Sequence, residues 1–145
     1  MKRRVFYGIW ALVTLLQAAC IAGGFVLARL AYARAGVNHH VAARKWKYNE
    51  LLFRGAPLLA LQVLAVVLTV VLLVLLVRAL RRGGGFRAVL ALESLAAAGM
   101  VLAYLTVPAL KAVGIYPYAV LLAAIVLILA LLAQFTGSRV RPNRP

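Results

Sequence analysis

Few side chains in this chain carry reactive chemistry. Residues 37–53, VNHHVAARKWKYNELLF, hold both histidines, His39 and His40, together with Glu50, one of only two acidic residues. The other carboxylate is Glu93, and the single thiol is Cys20. Neighbours on a helix point about 100° apart, so His39 and His40 grip one metal ion poorly. A bis-histidine haem needs ligands on opposite faces of its ring from separate elements, and no third histidine exists. Cys20, His39, His40, Glu50 and Glu93 fall at different depths along the chain's apolar and polar segments, so a four-ligand zinc site does not assemble. No cofactor is expected, and His39 and His40 remain weak metal candidates. The two carboxylates make no acid–base pair, Ser94 has no histidine at its depth, and Cys20 lies within an apolar run that favours inert packing. No catalytic residue is assigned and the chain is not expected to be an enzyme.

The elements that must position these groups are set by composition. Of 145 residues, 66% are apolar and 13% charged, against roughly a quarter charged in a soluble domain. That much Leu, Val and Ala cannot form a water-facing surface, so the fold class is an all-α integral membrane protein. Four spans are expected, at about 5–30, 57–77, 88–107 and 115–135, each near the roughly 20 residues that cross a bilayer. They must be helices, because in lipid each backbone group needs a partner within its own segment. Pro57 is tolerated in the first turn of the second span, and Pro108 stops the third. Trp10, Tyr116 and Tyr118 suit a headgroup belt. The links RALRRGGGFR and ALKAVGIYPY are short, which predicts an up-down-up-down four-helix bundle forming a single domain over residues 1–145. Gly83 to Gly85 read as a flexible reversal and not a phosphate cradle, since no P-loop lysine and hydroxyl follow.

A net charge of +15 invites a nucleic-acid reading, but the charges punctuate the spans and form no basic groove with stacking aromatics, so no nucleic-acid partner is expected. Lys2, Arg3, Arg4, Arg78, Arg81, Arg82, Arg87, Arg139, Arg141 and Arg144 share one side, ten of the seventeen basic residues; Arg29 to Arg54 and Lys111 occupy the other. The bias puts both termini in the cytoplasm, in a membrane read as prokaryotic. The segment MKRR followed by apolar residues and LLQAAC resembles a lipoprotein signal ending at Cys20. Gln17 stands where the aliphatic residue of that signal belongs, and IAGGFVL continues apolar past the cysteine, so an uncleaved first helix is expected.

The connector at 34–54 is expected to be an interfacial helix with Asn38 as its N-cap. Val41, Ala42, Trp46, Tyr48, Leu52 and Phe53 fall on one arc, with Arg44, Lys47, Glu50 and Arg54 opposite and Lys45 and Asn49 intruding on the apolar side. Glu50 precedes Arg54 by four, the spacing of a helical ion pair. Arg44, Lys45, Trp46, Lys47, Arg54, Arg78, Arg81, Arg82 and Arg87 are the candidate contacts to anionic headgroups, each basic group contributing about 1 kcal/mol near the surface.

Glu93 is the one carboxylate inside a span, about 9 Å along the helix axis from Arg87 at 1.5 Å per residue. Ionised and facing lipid it would cost a few kcal/mol, so it should face protein or water, be protonated, or pair with Arg78, Arg81 or Arg87. It is the candidate ion-coupling group. Ser94 and Ala98, then Gly99 and Ala103, are four apart, as are Ala19 and Gly23 on the first span. That spacing lets helices approach closely, within the bundle or between protomers. In outline the chain resembles the small multidrug exporters, compact four-helix proteins with one membrane carboxylate. That family's glutamate lies in the first helix and this one in the third, so the resemblance transfers no function.

Three functional expectations follow. The first is a non-catalytic membrane protein that assembles with other membrane subunits or with itself and contacts anionic lipid through basic connectors. The second is a small proton- or ion-coupled transporter or channel component using Glu93. The third is a redox-complex anchor near quinone or haem, using His39, His40 and Trp46.

Overall fold

Apolar runs that satisfy their own backbone hydrogen bonds become helices, and almost every described residue here is helical. The computed structural model describes residues 3–82 and 85–138. In order these form α1 (Arg3–Ala33), α2 (Ala35–Leu51), α3 (Gly55–Arg81), α4 (Gly85–Thr106), α5 (Pro108–Lys111) and α6 (Tyr116–Ser138). Helices α1, α3, α4 and α6 are long and apolar enough to cross a membrane. They alternate in direction, with α2 as the segment between the first two spans. The chain is an all-α integral membrane bundle.

Helices α1 and α3 run a little past the expected spans at both ends, whereas α4 stops at Thr106 just before Pro108 and α6 begins at Tyr116. Pro57 is the third residue of α3, where its missing N–H costs nothing. Pro108 opens α5, a single turn that the sequence reading did not anticipate. Of the glycine-rich reversal only Gly85 falls among the described residues, as the first residue of α4. Gly83 and Gly84 lie outside them.

Around the bundle the packing order is α3, α4, α6, α1. The inner helices α4 and α6 form the core, and α1 and α3 flank it. Seen in burial, the inward line of α1 is Phe6, Trp10, Val13, Gln17, Cys20, Gly24, Leu27 and Ala31. That of α3 is Leu58, Gln62, Ala65, Thr69, Leu72, Leu76 and Ala79. Both alternate steps of four and three, the repeat that keeps one seam facing a neighbour through a left-handed crossing. The main core joins Ala65 and Leu72 of α3, Ala97, Ala98, Val101 and Leu105 of α4, and Tyr116 to Ala130 of α6.

Small residues set the close approaches, though not all of those expected. Ser94 and Ala98 are buried where α4 meets its neighbours, and Gly99 and Ala103 are half-buried. Ala19 and Gly23, expected as their counterpart, lie on the exposed face of α1 instead. The seam of α1 runs through Cys20 and Gly24, one residue further on. A Cβ at Gly24 would stand 3.2 Å from Leu122 Cδ1 of α6.

Two side-chain amides join the helices. Gln17, in the middle of α1 and buried, donates through Nε2 to the Val126 carbonyl of α6 at 3.3 Å. Gln62 donates to the Leu105 carbonyl at 2.8 Å, in the last turn of α4 where carbonyls lose their helical partners. Each gives an otherwise costly polar group a use in the apolar interior.

The tightest joint is at the far end of α6. A Cβ on Gly137 would lie 2.5 Å from Leu90 Cδ1 and 3.2 Å from Phe6 Cζ, and both neighbours are almost fully buried, so neither has room to swing away. Gly137→Ala is therefore expected to destabilise the bundle by about 1–3 kcal/mol, the usual cost of overpacking. Gly23→Ala, where nothing lies within 4 Å, should be neutral or slightly stabilising. Unfolding of both variants in mild detergent, compared with the wild-type chain, checks this.

Candidate functional site

Polar chemistry is divided between the two ends of the bundle. At the end where α1 stops and α3 and α6 begin, α2 packs against α1 and α6. It starts after a one-residue break at Arg34, whose extended backbone (φ −128°, ψ 117°) makes Arg34 the N-cap and leaves Asn38 inside the helix. No side chain caps it, so the capping role expected of Asn38 is not used.

The inward line of α2 is Val37, Val41, Lys45 and Tyr48. Ala42 and Trp46, assigned to the apolar arc from sequence, are exposed, as are Arg44 and Lys47. The helix is rotated from that expectation because Lys45 has a use on the inside. Its ammonium donates to the Val113 carbonyl at 2.9 Å and to that of Ala112 at 3.4 Å, in the link between α5 and α6. Val41 meanwhile fills a small core with Ala31, Ile115 and Ala119. A lysine stem covers apolar surface on the way to its polar target, which explains how a charge can lie on the packed face.

His39 and His40 are both exposed on α2. Among the described residues, no three His, Cys, Asp or Glu side chains are grouped to hold a metal ion.

The expected ion pair between Glu50 and Arg54 is not formed. Helix α2 ends at Leu51, and Arg54 has extended backbone (φ −132°, ψ 142°) as the N-cap of α3. Gly55 follows with φ +62°, a left-handed conformation that a side chain disfavours. The i, i+4 spacing thus loses its helical geometry. Both residues instead line one open cleft of about 270 Å³ with Trp46, Asn49, Phe53, Lys111 and Tyr116. Phe53 and Tyr116 form its aromatic base, their rings 5.1 Å apart and edge-on.

At the opposite end, α1 and α4 are held by aromatic rings. Phe86 meets Phe6 and Tyr7 at 5.5 Å and Trp10 at 5.7 Å, all near edge-to-face. Trp10, expected as a headgroup anchor, is half-buried in this cluster, and its Nε1 makes a long 3.5 Å contact with Glu93 Oε2. Glu93 is half-buried and, among the described residues, forms no ion pair. Arg78, Arg81, Arg82 and Arg87 are exposed and do not reach it. Lys2, Arg139, Arg141 and Arg144 lie outside the described residues.

Sequence reasoning overlooked three groups. Gln62 and Gln134 are amides inside apolar spans, a signal that was legible. Gln134 Oε1 is buried without a hydrogen-bond partner. The Tyr116 hydroxyl, expected among lipid headgroups, is likewise buried and unpartnered. Other hydroxyls are used locally: Ser94 donates to Leu90 at 3.0 Å and Thr69 to Ala65 at 2.7 Å, each four residues back.

Comparison with protein-family models, with curated proteins and with solved structures found no match. The fold and the distribution of charge therefore carry the functional argument.

The Trp10–Glu93 contact is long, so it should couple the two residues weakly. A double-mutant cycle of Trp10→Phe with Glu93→Gln is expected to give an interaction of about 1 kcal/mol or less, in the range of hydrogen bonds within membranes. An interaction of several kcal/mol in detergent unfolding would instead mean a desolvated carboxylate held by the indole.

Proposed function

We propose that this protein is a non-catalytic membrane component that assembles with other membrane subunits and contacts anionic lipid through its basic ends. One observation carries the reading. Among the described residues, Arg78, Arg81, Arg82 and Arg87 stand exposed and free of ion pairs at helix ends, whereas Gln17, Gln62, Thr69 and Ser94 inside the spans bond backbone carbonyls. Free cations at the level of lipid phosphates attract an anionic surface. Polar groups already engaged with backbone leave little to bind a reactant.

The flanking helices supply the assembly surface. Leu59, Val63, Val66, Val70 and Leu73 of α3 are exposed along one side of the bundle, and α1 is similarly open with Leu12, Leu15 and Phe25. The positive bias of the terminal side favours both termini in the cytoplasm of a prokaryotic cell.

A second reading makes the protein a small ion-coupled transporter component. Its support is Glu93, a half-buried carboxylate with no cation partner among the described residues, on a bundle that also holds the unpartnered Gln134 carbonyl.

Purification in mild detergent followed by mass spectrometry separates the two. The first reading expects a different membrane protein to co-elute in fixed ratio, together with anionic phospholipid that Arg78→Gln, Arg81→Gln and Arg82→Gln combined deplete. Elution alone as a defined homo-oligomer favours the second, which then expects Glu93→Gln to abolish proton-coupled uptake in vesicles with assembly intact.

A further inference from the structure

The cleft beside α2 combines features that the general attraction of basic residues to lipid does not require. It holds charges of both signs, Glu50 against Arg54 and Lys111, and among the described residues none of the three is paired within the protein. The turn through Arg54 and Gly55 keeps Arg54 off the face of α2 that carries Glu50. The Asn49 side chain, half-buried on the same wall, also has no hydrogen-bond partner among the described residues. The Tyr116 side chain, 1% exposed, lines the cleft and keeps an unpartnered buried hydroxyl.

The position of the cleft selects a lipid. Phe53 precedes α3 and Tyr116 opens α6, so the cleft lies where two spans leave the hydrocarbon. Trp46, 69% exposed, stands at its rim, as an indole does at headgroup depth. A volume near 270 Å³ is just below the range of small-molecule sites, about 300–1,000 Å³, and suits a headgroup better than a whole lipid.

We propose that this cleft is a selective site for the headgroup of a zwitterionic aminophospholipid, a phosphate joined to a primary ammonium. Arg54 and Lys111 receive the phosphate. Glu50 and the Asn49 amide carbonyl accept from the ammonium, which also meets the faces of Trp46 and Phe53. A headgroup without an amine would fill the phosphate position but give Glu50 no cation to accept from. A quaternary ammonium has no N–H for Glu50 or Asn49 to accept. The inference rests on the lipid-contact reading above and adds a headgroup preference at one site.

The test uses the full-length protein in mild detergent, offered equal amounts of phosphatidylethanolamine, phosphatidylglycerol and phosphatidylcholine, with retained lipid counted by native mass spectrometry. With anionic lipid at the opposite end removed by Arg78→Gln, Arg81→Gln and Arg82→Gln combined, the chain should hold one phosphatidylethanolamine preferentially. Glu50→Gln should lower that retention roughly tenfold, the effect of losing one charge-assisted contact, and leave phosphatidylglycerol unchanged. Arg54→Gln with Lys111→Gln should remove it with the helical circular dichroism intact. Equal or greater retention of phosphatidylglycerol by that chain, or of phosphatidylcholine, overturns the proposal, as does an unchanged preference when Glu50→Gln is added. Retention of water-soluble phosphoethanolamine in place of the diacyl lipid overturns the lipid assignment. The anionic-lipid reading fails separately, through the Arg78, Arg81 and Arg82 substitutions at the other end of the bundle.

Discussion

In hydrocarbon, every peptide N–H and C=O needs a partner from protein, and the structure depends on that constraint. It forces the four long helices and extends into their ends and links, where helical partners run out. There the missing partners come from side chains. Gln62 reaches the Leu105 carbonyl at the close of α4, and Lys45 bonds the Ala112 and Val113 carbonyls before α6 begins. The rotation of α2 follows from the second of these. A helix that would otherwise float with its aromatics inward is turned so that its lysine serves the backbone of a neighbour.

The same constraint explains where polarity is allowed inside. Gln17 is central in α1, and its amide binds a carbonyl of α6 that already belongs to a helix, a shared acceptor that joins two spans without an ion. Hydroxyls on Thr69 and Ser94 fold back onto their own helices. Glu93 is treated differently. It has one long contact from an indole held in an aromatic cluster, and the arginines nearest in sequence stay outside. The cluster of Phe6, Tyr7, Trp10 and Phe86 thereby does two things: it fixes α1 against α4 and it covers the flank of the only membrane carboxylate.

The two ends of the bundle differ in design. The terminal end is closed by rings and by the tight approach of Gly137 to Leu90 and Phe6. The other end is opened by a turn. Because α2 stops at Leu51 and the chain reverses through Gly55, a glutamate and an arginine spaced for mutual pairing are separated and both face a cleft. A continuous helix through Arg54 would have paired them and left the aromatic base of Phe53 and Tyr116 without charged walls.

Sequence alone determined the class of molecule, the number of spans and their alternating directions, because apolar length acts on any chain in lipid irrespective of packing. Tertiary structure decided which face of each span turns inward. The seams of α1 and α3 follow a regular alternation of four and three, yet Leu, Val and Ala also cover their outer faces. Lipid tails are as apolar as a protein core, so hydropathy contains no inward direction, and Gly24 could not be preferred over Gly23. Similarly, the i, i+4 spacing of Glu50 and Arg54 was legible as a pair only while the helix was assumed to continue. The left-handed turn at Gly55 ended it, and with it the geometry on which that spacing relied.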